Sequence, residues 1–257
     1  MKLPFTLDKG VASTAALGLI VLETDETIEA EFRTLFNQTG IGLFHARIPV
    51  AQEITPETLP KMEAALPAAV GLLPSAFPMD VVGYACTSGA TVIGADNISR
   101  IVTQTFPNAK TTDPITAVMA ALQHLGIRRI GLVTPYVEDV SAAMINLLRS
   151  NSFEVVHFGS FEQKDDATVA RISPDSIYNA ICDIGVNDDV EAVFVSCTNL
   201  RTFDVIERAE TLIEKPVISS NQALAWHMAE LAKLSGVIAG PGSLFTERGL
   251  NRNFSTI

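Results

Sequence analysis

The sequence predicts an α/β protein of two related lobes, each a parallel sheet flanked by helices, with a ligand site in the cleft between them. Short apolar runs of strand length alternate with longer segments of helix length along the 257 residues, which is the rhythm of βαβ units. Three sequence signals of the first half also recur in the same order in the second half. This recurrence indicates an internal duplication, and we therefore expect a pseudo-twofold axis to relate the lobes.

The first predicted strand is the apolar segment LGLIVL at 17–22. We interpret it as a strand rather than part of a signal peptide, because Asp8 interrupts the basic start and no small-residue cleavage site follows. The same patterns predict further strands at 41–48, 79–86, 129–134, 154–160, 190–197 and 216–220, and helices at 25–36, 113–126, 139–151, 173–185, 201–213 and 221–236. Asp113 and Asn221 are the predicted N-caps of two of these helices.

Three matched segments carry the duplication. LGLIVLETDET (17–27) corresponds to IGLVTPYVEDV (130–140), VGYACTSGAT (82–91) to VFVSCTNLRT (193–202), and TTDPITAVMAAL (111–122) to SSNQALAWHMAEL (219–231). The offset is 113 positions from Gly18 to Gly131 and 111 positions from Cys86 to Cys197. We predict that residues 1–112 and 221–257 form the first lobe and that residues 113–220 form the second.

The charge of the chain limits its partners. The formal net charge is −11 and the pI is about 4.8, so the field of the molecule repels nucleic acid and anionic membrane surfaces. No uninterrupted apolar run approaches the roughly 18 residues that mark a membrane span. The three cysteines have no CxxC spacing, which is typical of a protein kept reduced in the cytoplasm.

The sequence offers no motif for a metal or a cofactor. His45, His124, His157 and His227 share no ligand spacing. The segment GVIAGPGSLF at 236–245 lacks both the lysine of a phosphate loop and the glycine spacing of a dinucleotide-binding turn. We therefore expect neither a bound metal ion nor a cofactor.

Cys86 and Cys197 are the strongest candidates for catalysis. Each lies at the carboxyl end of a predicted strand, where parallel sheets bind ligands, and the duplication is expected to bring the thiols face to face. Thr87 and Ser88 follow the first cysteine and Thr198 follows the second, just before helices expected to begin around positions 89 and 200. Backbone N–H groups and hydroxyls at such turns bind a carboxylate, and the helix ends favour the thiolate.

A thiolate that faces a thiol supports two kinds of chemistry without a cofactor. The pair removes a proton beside a carboxylate on one face and returns one on the other. Alternatively, one sulfur adds to an activated double bond, and the adduct rotates before elimination. A buried structural cysteine is the alternative for each thiol taken alone. Cys182 has no polar turn after it and is expected to be structural.

These turns resemble the aspartate/glutamate racemase superfamily, and within it the branch of maleate cis-trans isomerases and arylmalonate decarboxylases. The resemblance runs through nearly the whole chain and implies a homodimer or larger assembly. It implies that Cys86 and Cys197 are the catalytic pair. It also implies that carboxylate or substrate is contacted by Thr87, Ser88, Thr198 and Tyr136 of VTPY, with Asn199 beside the second thiol. The decarboxylases of this branch have glycine at the first position, so Cys86 favours an isomerase or racemase.

Asp25 departs from the maleate isomerases. The segment LETDET (22–27) stands where those enzymes carry a turn like PSSNTT, whose Asn binds a carboxylate. An ionised Asp repels a carboxylate but receives a cationic nitrogen, as the acidic residue at this strand does in aspartate and glutamate racemases. The segment also resembles isomerase-like proteins associated with ectoine utilisation. The structural alternatives are a helix N-cap for Asp25 and a turn aromatic covering the lobe interface for Tyr136.

We therefore expect a cofactor-independent isomerase of a small carboxylic acid, most like the maleate isomerases. A racemase or epimerase of an amino acid or cyclic amino acid is the first alternative, and an arylmalonate-type decarboxylase is the second. Because two α/β lobes around a cleft also describe solute receptors, a non-catalytic binding protein is the third.

Overall fold

The computed structural model describes residues 1–50, 58, 61–76 and 78–246, and it contains two parallel sheets of four strands each. The first sheet has the order β2-β1-β3-β4 and consists of β1 (Ala15–Leu22), β2 (Ile41–Ile48), β3 (Val81–Ala85) and β4 (Lys110–Thr112). The second has the order β6-β5-β7-β8 and consists of β5 (Arg129–Tyr136), β6 (Glu154–Gln163), β7 (Ala192–Val195) and β8 (Val217–Ser219). The two orders are equivalent, so the predicted two-lobe α/β fold is confirmed.

Helices connect the strands and cover the sheets. Those of the first half are α1 (Ile28–Leu35), α2 (Lys61–Val70), α3 (Thr87–Ile93), α4 (Ala95–Thr105) and α5 (Pro114–Leu125). Those of the second half are α6 (Glu138–Ser150), α7 (Asp166–Ala170), α8 (Pro174–Gly185), α9 (Phe203–Ile213), α10 (Ser220–Leu231) and α11 (Ser243–Thr246). Every strand and helix predicted from the sequence is present. The sequence patterns did not mark β4, because three residues are too few to show a periodicity, and they did not mark the helices α2, α4, α7 and α11.

The strand register repeats between the two sheets. Gly18 of β1 pairs with Val82 of β3, and Gly131 of β5 pairs with Val193 of β7. These four residues occupy matching positions in the duplicated segments, since each glycine and each valine has its counterpart in the other half. The structure therefore places the ends of β3 and β7 at equivalent points of the two sheets.

Helix α10 returns to the first sheet after the second sheet is complete. Leu224 and Met228 belong to the same buried cluster as Leu17 and Leu19 of β1. A β-carbon at Gly83 of β3 would lie 2.8 Å from Met228 Sδ, so glycine is what lets the helix approach this strand. The division of the chain stays a prediction, and its residues 247–257 lie outside the described residues.

The two predicted helix caps have different outcomes. Asp113 caps α5 as expected, since its Oδ1 accepts two backbone N–H groups of the first turn at 3.0 Å. The prediction for Asn221 is wrong, because α10 begins directly after β8 and is capped by Ser219, whose hydroxyl accepts from Gln222 N at 3.1 Å. The Asn221 side chain is thereby released to donate to Glu31 Oε2 at 2.6 Å and to the Thr198 carbonyl oxygen at 2.8 Å.

Glu31 of α1 contacts both the start of α9 and Asn221. Its Oε1 accepts hydrogen bonds from the backbone N–H groups of Thr202 at 2.7 Å and Phe203 at 3.0 Å, where α9 begins. Its Oε2 accepts from Asn221 Nδ2 at 2.6 Å. Burial raises the pKa of Glu31 from 4.5 to about 7, although the three hydrogen bonds favour the charged form. Ionisation of Glu31 therefore opposes folding near neutral pH.

We expect Glu31→Gln to flatten the pH dependence of stability. The unfolded chain loses this proton near pH 4.5 and the folded chain near pH 7, so stability falls as the pH rises between these values. The loss is on the order of 3 kcal/mol, and a neutral glutamine avoids it. Urea unfolding at about pH 5 and about pH 8 measures the free energy of unfolding of both proteins. The prediction would be contradicted if the free energies of unfolding of wild type and Glu31→Gln differed by the same amount at both pH values.

Candidate active site

Cys86 and Cys197 follow β3 and β7 at equivalent positions. Cys86 is the N-cap of α3, and its Sγ accepts a hydrogen bond from Gly89 N at 3.2 Å. The Sγ of Cys197 accepts from Asn199 N at 3.4 Å. Cys197 has a φ of +125°, a strained conformation for a residue other than glycine. Such strain is typical of functional sites, where the surrounding structure holds the residue in place.

Ser220 joins the two cysteine turns. Its Oγ accepts a hydrogen bond from the Thr87 hydroxyl at 2.8 Å and another from Cys197 N at 3.0 Å. The Thr198 hydroxyl also donates to the Ala85 carbonyl oxygen at 3.5 Å, across the same junction. The structure therefore brings the two duplicated turns into direct contact. Sequence reasoning assigned Ser220 to the end of a strand and did not anticipate this role.

Tyr136 lies beside both sulfurs. It is 2% exposed, its hydroxyl is hydrogen bonded to the Cys197 thiol, and Cys86 is close enough to interact with it electrostatically. Burial raises the pKa of Tyr136 well above 10, so the phenol stays protonated and acts as a donor. The structure thus places this predicted residue in the cleft, at the end of β5.

Tyr84 is a second tyrosine at the site, and sequence reasoning missed it. It lies two residues before Cys86 on the same face of β3. Its hydroxyl contacts Met62 Sδ at 3.5 Å and the Cys86 thiol. A β-carbon at Gly89 would lie 2.6 Å from this hydroxyl and 2.9 Å from Cys86 Sγ, so glycine leaves the space that both groups use. The alternation of side chains along β3 is the sequence signal that would have identified Tyr84, because residues 84 and 86 share one face of an extended chain.

Both cysteines are protonated thiols near neutral pH. Burial raises the pKa of Cys86 from 9.0 to about 11, and it raises the pKa of Cys197 well above the ordinary value. The expectation that helix ends favour the thiolate is therefore wrong. At Cys86, desolvation outweighs the Gly89 N–H, and after Cys197 no helix begins until Phe203. A thiolate at this site needs a base or a bound substrate group to draw the proton away.

Two buried carboxyl groups lie near the thiols. Asp25 accepts hydrogen bonds from Thr27 N and Ile28 N at 2.8 Å through Oδ1, so it caps the start of α1, and the Thr198 side chain also hydrogen bonds to its carboxyl group. Asp166, at the start of α7, accepts a hydrogen bond from the Thr24 hydroxyl. Burial raises the pKa of both carboxyl groups, and each interacts electrostatically with Cys86 and Cys197.

No sequence signal pointed to Asp166. It follows β6 in the short polar segment QKDDA (163–167), which lies outside the three matched segments of the duplication. Its position in the cleft results from the fold, since the end of β6 runs towards the LETDET turn that contains Thr24 and Asp25.

Asn199 holds this arrangement together. Its Oδ1 accepts from Glu26 N at 2.8 Å, and its Nδ2 donates to the carbonyl oxygens of Thr24 at 3.4 Å and Asp166 at 3.2 Å. Its own carbonyl oxygen accepts from the Thr27 hydroxyl at 3.0 Å. The Asn199 amide is therefore occupied by main-chain contacts between the lobes.

The thiols are enclosed by the surrounding protein. Cys86 is 3% and Cys197 4% exposed, and the Ser88 hydroxyl lies 3.7 Å from Cys86 Sγ. A groove of about 800 Å³ opens nearby between α1 and α9, but it is lined by residues such as Thr27 and Glu31 and touches neither sulfur. A substrate therefore reaches the sulfurs only after part of this enclosure moves.

Within residues 1–50, 58, 61–76 and 78–246, no group of three or more His, Cys, Asp or Glu side chains is arranged to hold a metal ion. None of the helices in those residues has the length and apolar character of a membrane span.

Known proteins are similar to this chain in sequence and in architecture. Residues 95–245 match the family described as arylmalonate decarboxylase. The chain is 24% identical to a maleate isomerase of Pseudomonas putida over 242 residues, which covers 90% of this chain and 96% of that protein. It is 30% identical to the arylmalonate decarboxylase of Bordetella bronchiseptica over 128 residues, which covers 49% of this chain and 53% of that one.

Solved structures have the same fold. A cysteine variant of a maleate isomerase from Pseudomonas putida S16, solved with maleate, superposes with a TM-score of 0.83 at 23% identity and covers 91% of this chain and 98% of its own. A maleate cis-trans isomerase variant of Nocardia farcinica, solved with a covalently bound succinylcysteine intermediate, gives a TM-score of 0.82 at 22% identity, with coverages of 90% and 98%.

Two equivalent α/β lobes, with a cysteine after the third strand of each, define a two-lobed α/β protein whose fold the solved maleate isomerases share. The family match covers more than half of the chain. The chain therefore belongs to the arylmalonate decarboxylase family, and the resemblance seen in its cysteine turns is confirmed.

We expect Tyr136→Phe to slow the alkylation of Cys197 by iodoacetamide about tenfold, while Cys86 in the same protein reacts at its wild-type rate. The phenol donates to the Cys197 sulfur and lowers its pKa, so removing the hydroxyl lowers the fraction of thiolate. Peptide mass spectrometry measures the two rates separately. Tyr178→Phe, on α8, is the matched control. Equal slowing at both cysteines would contradict the prediction.

Proposed function

We propose that the chain is a cofactor-independent isomerase of a small carboxylic acid and that Cys86 and Cys197 are its reacting groups. The observation that carries this proposal is the contact between the duplicated turns, where Ser220 bonds to both and Tyr136 lies beside both sulfurs. A solute receptor needs no such pair of thiols. The relatives named maleate isomerase, and the solved one with a succinylcysteine intermediate, support an isomerase in which a cysteine sulfur bonds to the substrate.

The addition route uses the two sulfurs in different states. An ionised sulfur adds to one carbon of the double bond of a cis acid such as maleate, and the thiol of the other cysteine gives its proton to the second carbon. The bond between these carbons is then single and rotates. The proton then returns to the second sulfur, and the first sulfur leaves the substrate carbon. These two steps re-form the double bond and release the trans acid. The raised pKa of both thiols keeps a proton on whichever cysteine is not activated.

The surrounding residues take separate parts in this proposal. Ser88 supplies its hydroxyl to the substrate carboxylate, and Thr87 and Thr198 do so after giving up their bonds to Ser220 and to the Ala85 carbonyl oxygen. Tyr136 contacts the substrate while its hydroxyl donates to Cys197. Asn199 positions the turn that contains the second thiol, because its amide bonds to main-chain atoms of the first lobe.

A racemase or epimerase is the second candidate, and Asp25 favours it. Its buried carboxyl stands where the maleate isomerases have an amide, and it is suited to a substrate nitrogen. The same two thiols would then exchange a proton at the carbon beside the carboxylate.

The proposal includes a cytoplasmic homodimer or larger homo-oligomer. The three unpaired cysteines support a reducing compartment. Exposed apolar side chains near the N-terminus, among them Leu3, Phe5 and Leu7, support a surface that a second copy covers.

We expect Cys86→Ser and Cys197→Ser each to lower turnover at least about 1,000-fold, because each cysteine carries one half of the proton or sulfur transfer. Proton NMR in deuterated water, with maleate and a panel of amino acids, detects both fumarate formation and exchange beside the carboxylate. Cys182→Ser, on α8, is the matched control and should keep wild-type turnover.

If both cysteine variants kept full biological activity and unchanged ligand affinity, the enzyme proposal would be overturned in favour of a binding protein. Release of carbon dioxide from a substituted malonate that continues in Cys86→Gly would instead indicate a decarboxylase.

A further inference from the structure

Residues 1–11, which we call the N-terminal arm, stand apart from both sheets. Residues 1–10 belong to no helix or strand, and the one hydrogen bond described for the arm is internal, from Gly10 N to the Asp8 carboxylate at 2.8 Å. The first main-chain bond to the body of the protein comes at Thr14, whose N–H donates to the Gly40 carbonyl oxygen at 2.8 Å. The arm is therefore available for contacts outside its own chain.

The arm carries an apolar stripe. Leu3, Phe5 and Leu7 are 66%, 72% and 88% exposed. Pro4 favours an extended conformation for the residue before it, and alternate side chains of an extended chain share one face. The three side chains therefore form one apolar face when the arm is extended. Apolar surface of this kind on a folded chain is typical of an interaction site.

The groove between α1 and α9 has an apolar floor of matching length. Its apolar lining consists of Ala30, Leu35, Phe203, Ala239 and Pro241. Helix α1 has 8 residues and is thus about 12 Å long, and the stretch from Leu3 to Leu7 spans about 13 Å when extended. The groove therefore has the length to receive all three side chains of the stripe.

The charges of the arm and of the groove are opposite. Lys2 and Lys9 belong to the arm, whereas Asp204 and Glu207 of α9 line the groove. None of these four side chains forms an ion pair within the described part of the chain. Arg201, which also lines the groove, donates to a main-chain carbonyl oxygen at 3.0 Å. Because exposed ion pairs contribute little affinity, the apolar side chains supply most of it and the charges set the orientation of the arm.

A second copy of the chain is the source of the arm that fits the groove. Within one chain the arm leaves its three apolar side chains exposed instead of placing them in the groove. Two copies related by a twofold axis exchange arms reciprocally, so that each groove receives one arm and the contact closes as a dimer.

We propose that the N-terminal arm of one copy docks in the groove between α1 and α9 of a second copy. The apolar stripe lies on the apolar floor, and Lys2 and Lys9 lie beside Asp204 and Glu207. This inference rests on the proposed homo-oligomer and specifies the surface that forms it.

Sedimentation velocity over a series of concentrations measures the dissociation constant of the dimer. Removal of residues 1–11 should raise this constant at least about 100-fold, and Phe5→Ser at least about tenfold, because the dimer loses both arms or both docked aromatic rings. Val186→Ser removes a side chain of similar exposure, 60%, at the end of α8 and should leave the constant unchanged. The thermal midpoint checks that each variant is folded.

An exchange of charges tests the orientation of the arm. Lys2→Glu combined with Lys9→Glu should raise the dissociation constant about tenfold, because like charges then meet in both copies of the contact. Adding Asp204→Lys and Glu207→Lys to this variant should return the constant to within about threefold of wild type.

Disulfide trapping identifies the chain that supplies the arm. The three native cysteines are buried, so mild oxidation joins only introduced thiols. A mixture of the Phe5→Cys and Ala30→Cys proteins should form a covalent dimer that contains one chain of each, as peptide mass spectrometry shows. A mixture of Phe5→Cys and Val186→Cys is the matched control and should remain unlinked.

Each contrary outcome has a defined meaning. The inference is overturned if the dimer survives removal of residues 1–11, if the charge exchange restores nothing, or if the mixed disulfide does not form. A disulfide within one chain of the double variant Phe5→Cys, Ala30→Cys would assign the groove to the chain's own arm. A disulfide within the double variant Ala30→Cys, Phe254→Cys, with none from Phe5→Cys, would assign it to the C-terminal segment. Both results overturn docking between copies.

These outcomes are distinct from failure of the proposed function. A wild type that stays monomeric at every concentration would overturn the homo-oligomer together with this inference. A wild-type dimer that does not need its arms would leave the homo-oligomer standing and overturn only the arm contact. The isomerase proposal depends on the two cysteine variants alone.

Discussion

Burial of ionisable groups in one cleft is the constraint on which the rest of this site depends. The pKa values of Cys86, Cys197, Asp25, Asp166 and Glu31 are all raised, and desolvation is the largest cause in each case. A site open to water would leave these groups near their ordinary pKa values. Enclosure instead raises the proton affinity of the thiols and of the carboxyl groups, so the charge of a bound ligand affects their protonation more strongly than it would in bulk solvent. Binding and proton transfer are therefore coupled by the same loss of water.

The enclosure exists because side chains of one lobe complete the structure of the other. Glu31 from α1 bonds to the N–H groups at the start of α9, Asn199 bonds to the turn after β1, and Ser220 bonds to both cysteine turns. The bonds to Thr202, Glu26 and Cys197 satisfy main-chain N–H groups that would otherwise lack a protein partner, whereas the bond from Thr87 to Ser220 joins two side chains. The geometry around the sulfurs is thus fixed by hydrogen bonds between main chain and side chain as well as by apolar packing, and any opening for substrate has to exchange some of them.

Sequence reasoning reached the fold and the two cysteines because both depend on patterns that are local or repeated. Apolar runs mark the strands, and the equivalent turns at Cys86 and Cys197 survive in matching positions of the two halves. It did not reach Asp166 or Ser220, since their roles arise only when distant segments meet and no repeat marks them. It also misjudged the thiol pKa, because the effect of a helix end is visible in a sequence while the depth of burial is not. Asn221 failed as a cap for a related reason, since a shift of two residues in a helix start redirects the whole side chain.

The duplication explains why the two thiols are paired. The differences between the two cysteine turns explain how one thiol can serve as the base and the other as the acid. Cys86 has an extended backbone and caps α3, whereas Cys197 has a φ of +125° and is followed by an irregular turn until α9 begins. Tyr136 donates to the sulfur of Cys197, whereas Tyr84 and Ser88 surround that of Cys86. Two identical environments would give the sulfurs equal proton affinities, and neither would be selected as the base. Because catalysis by an acid and base pair needs one partner ionised and the other protonated, divergence of the repeated turns is what makes two equivalent positions chemically distinct.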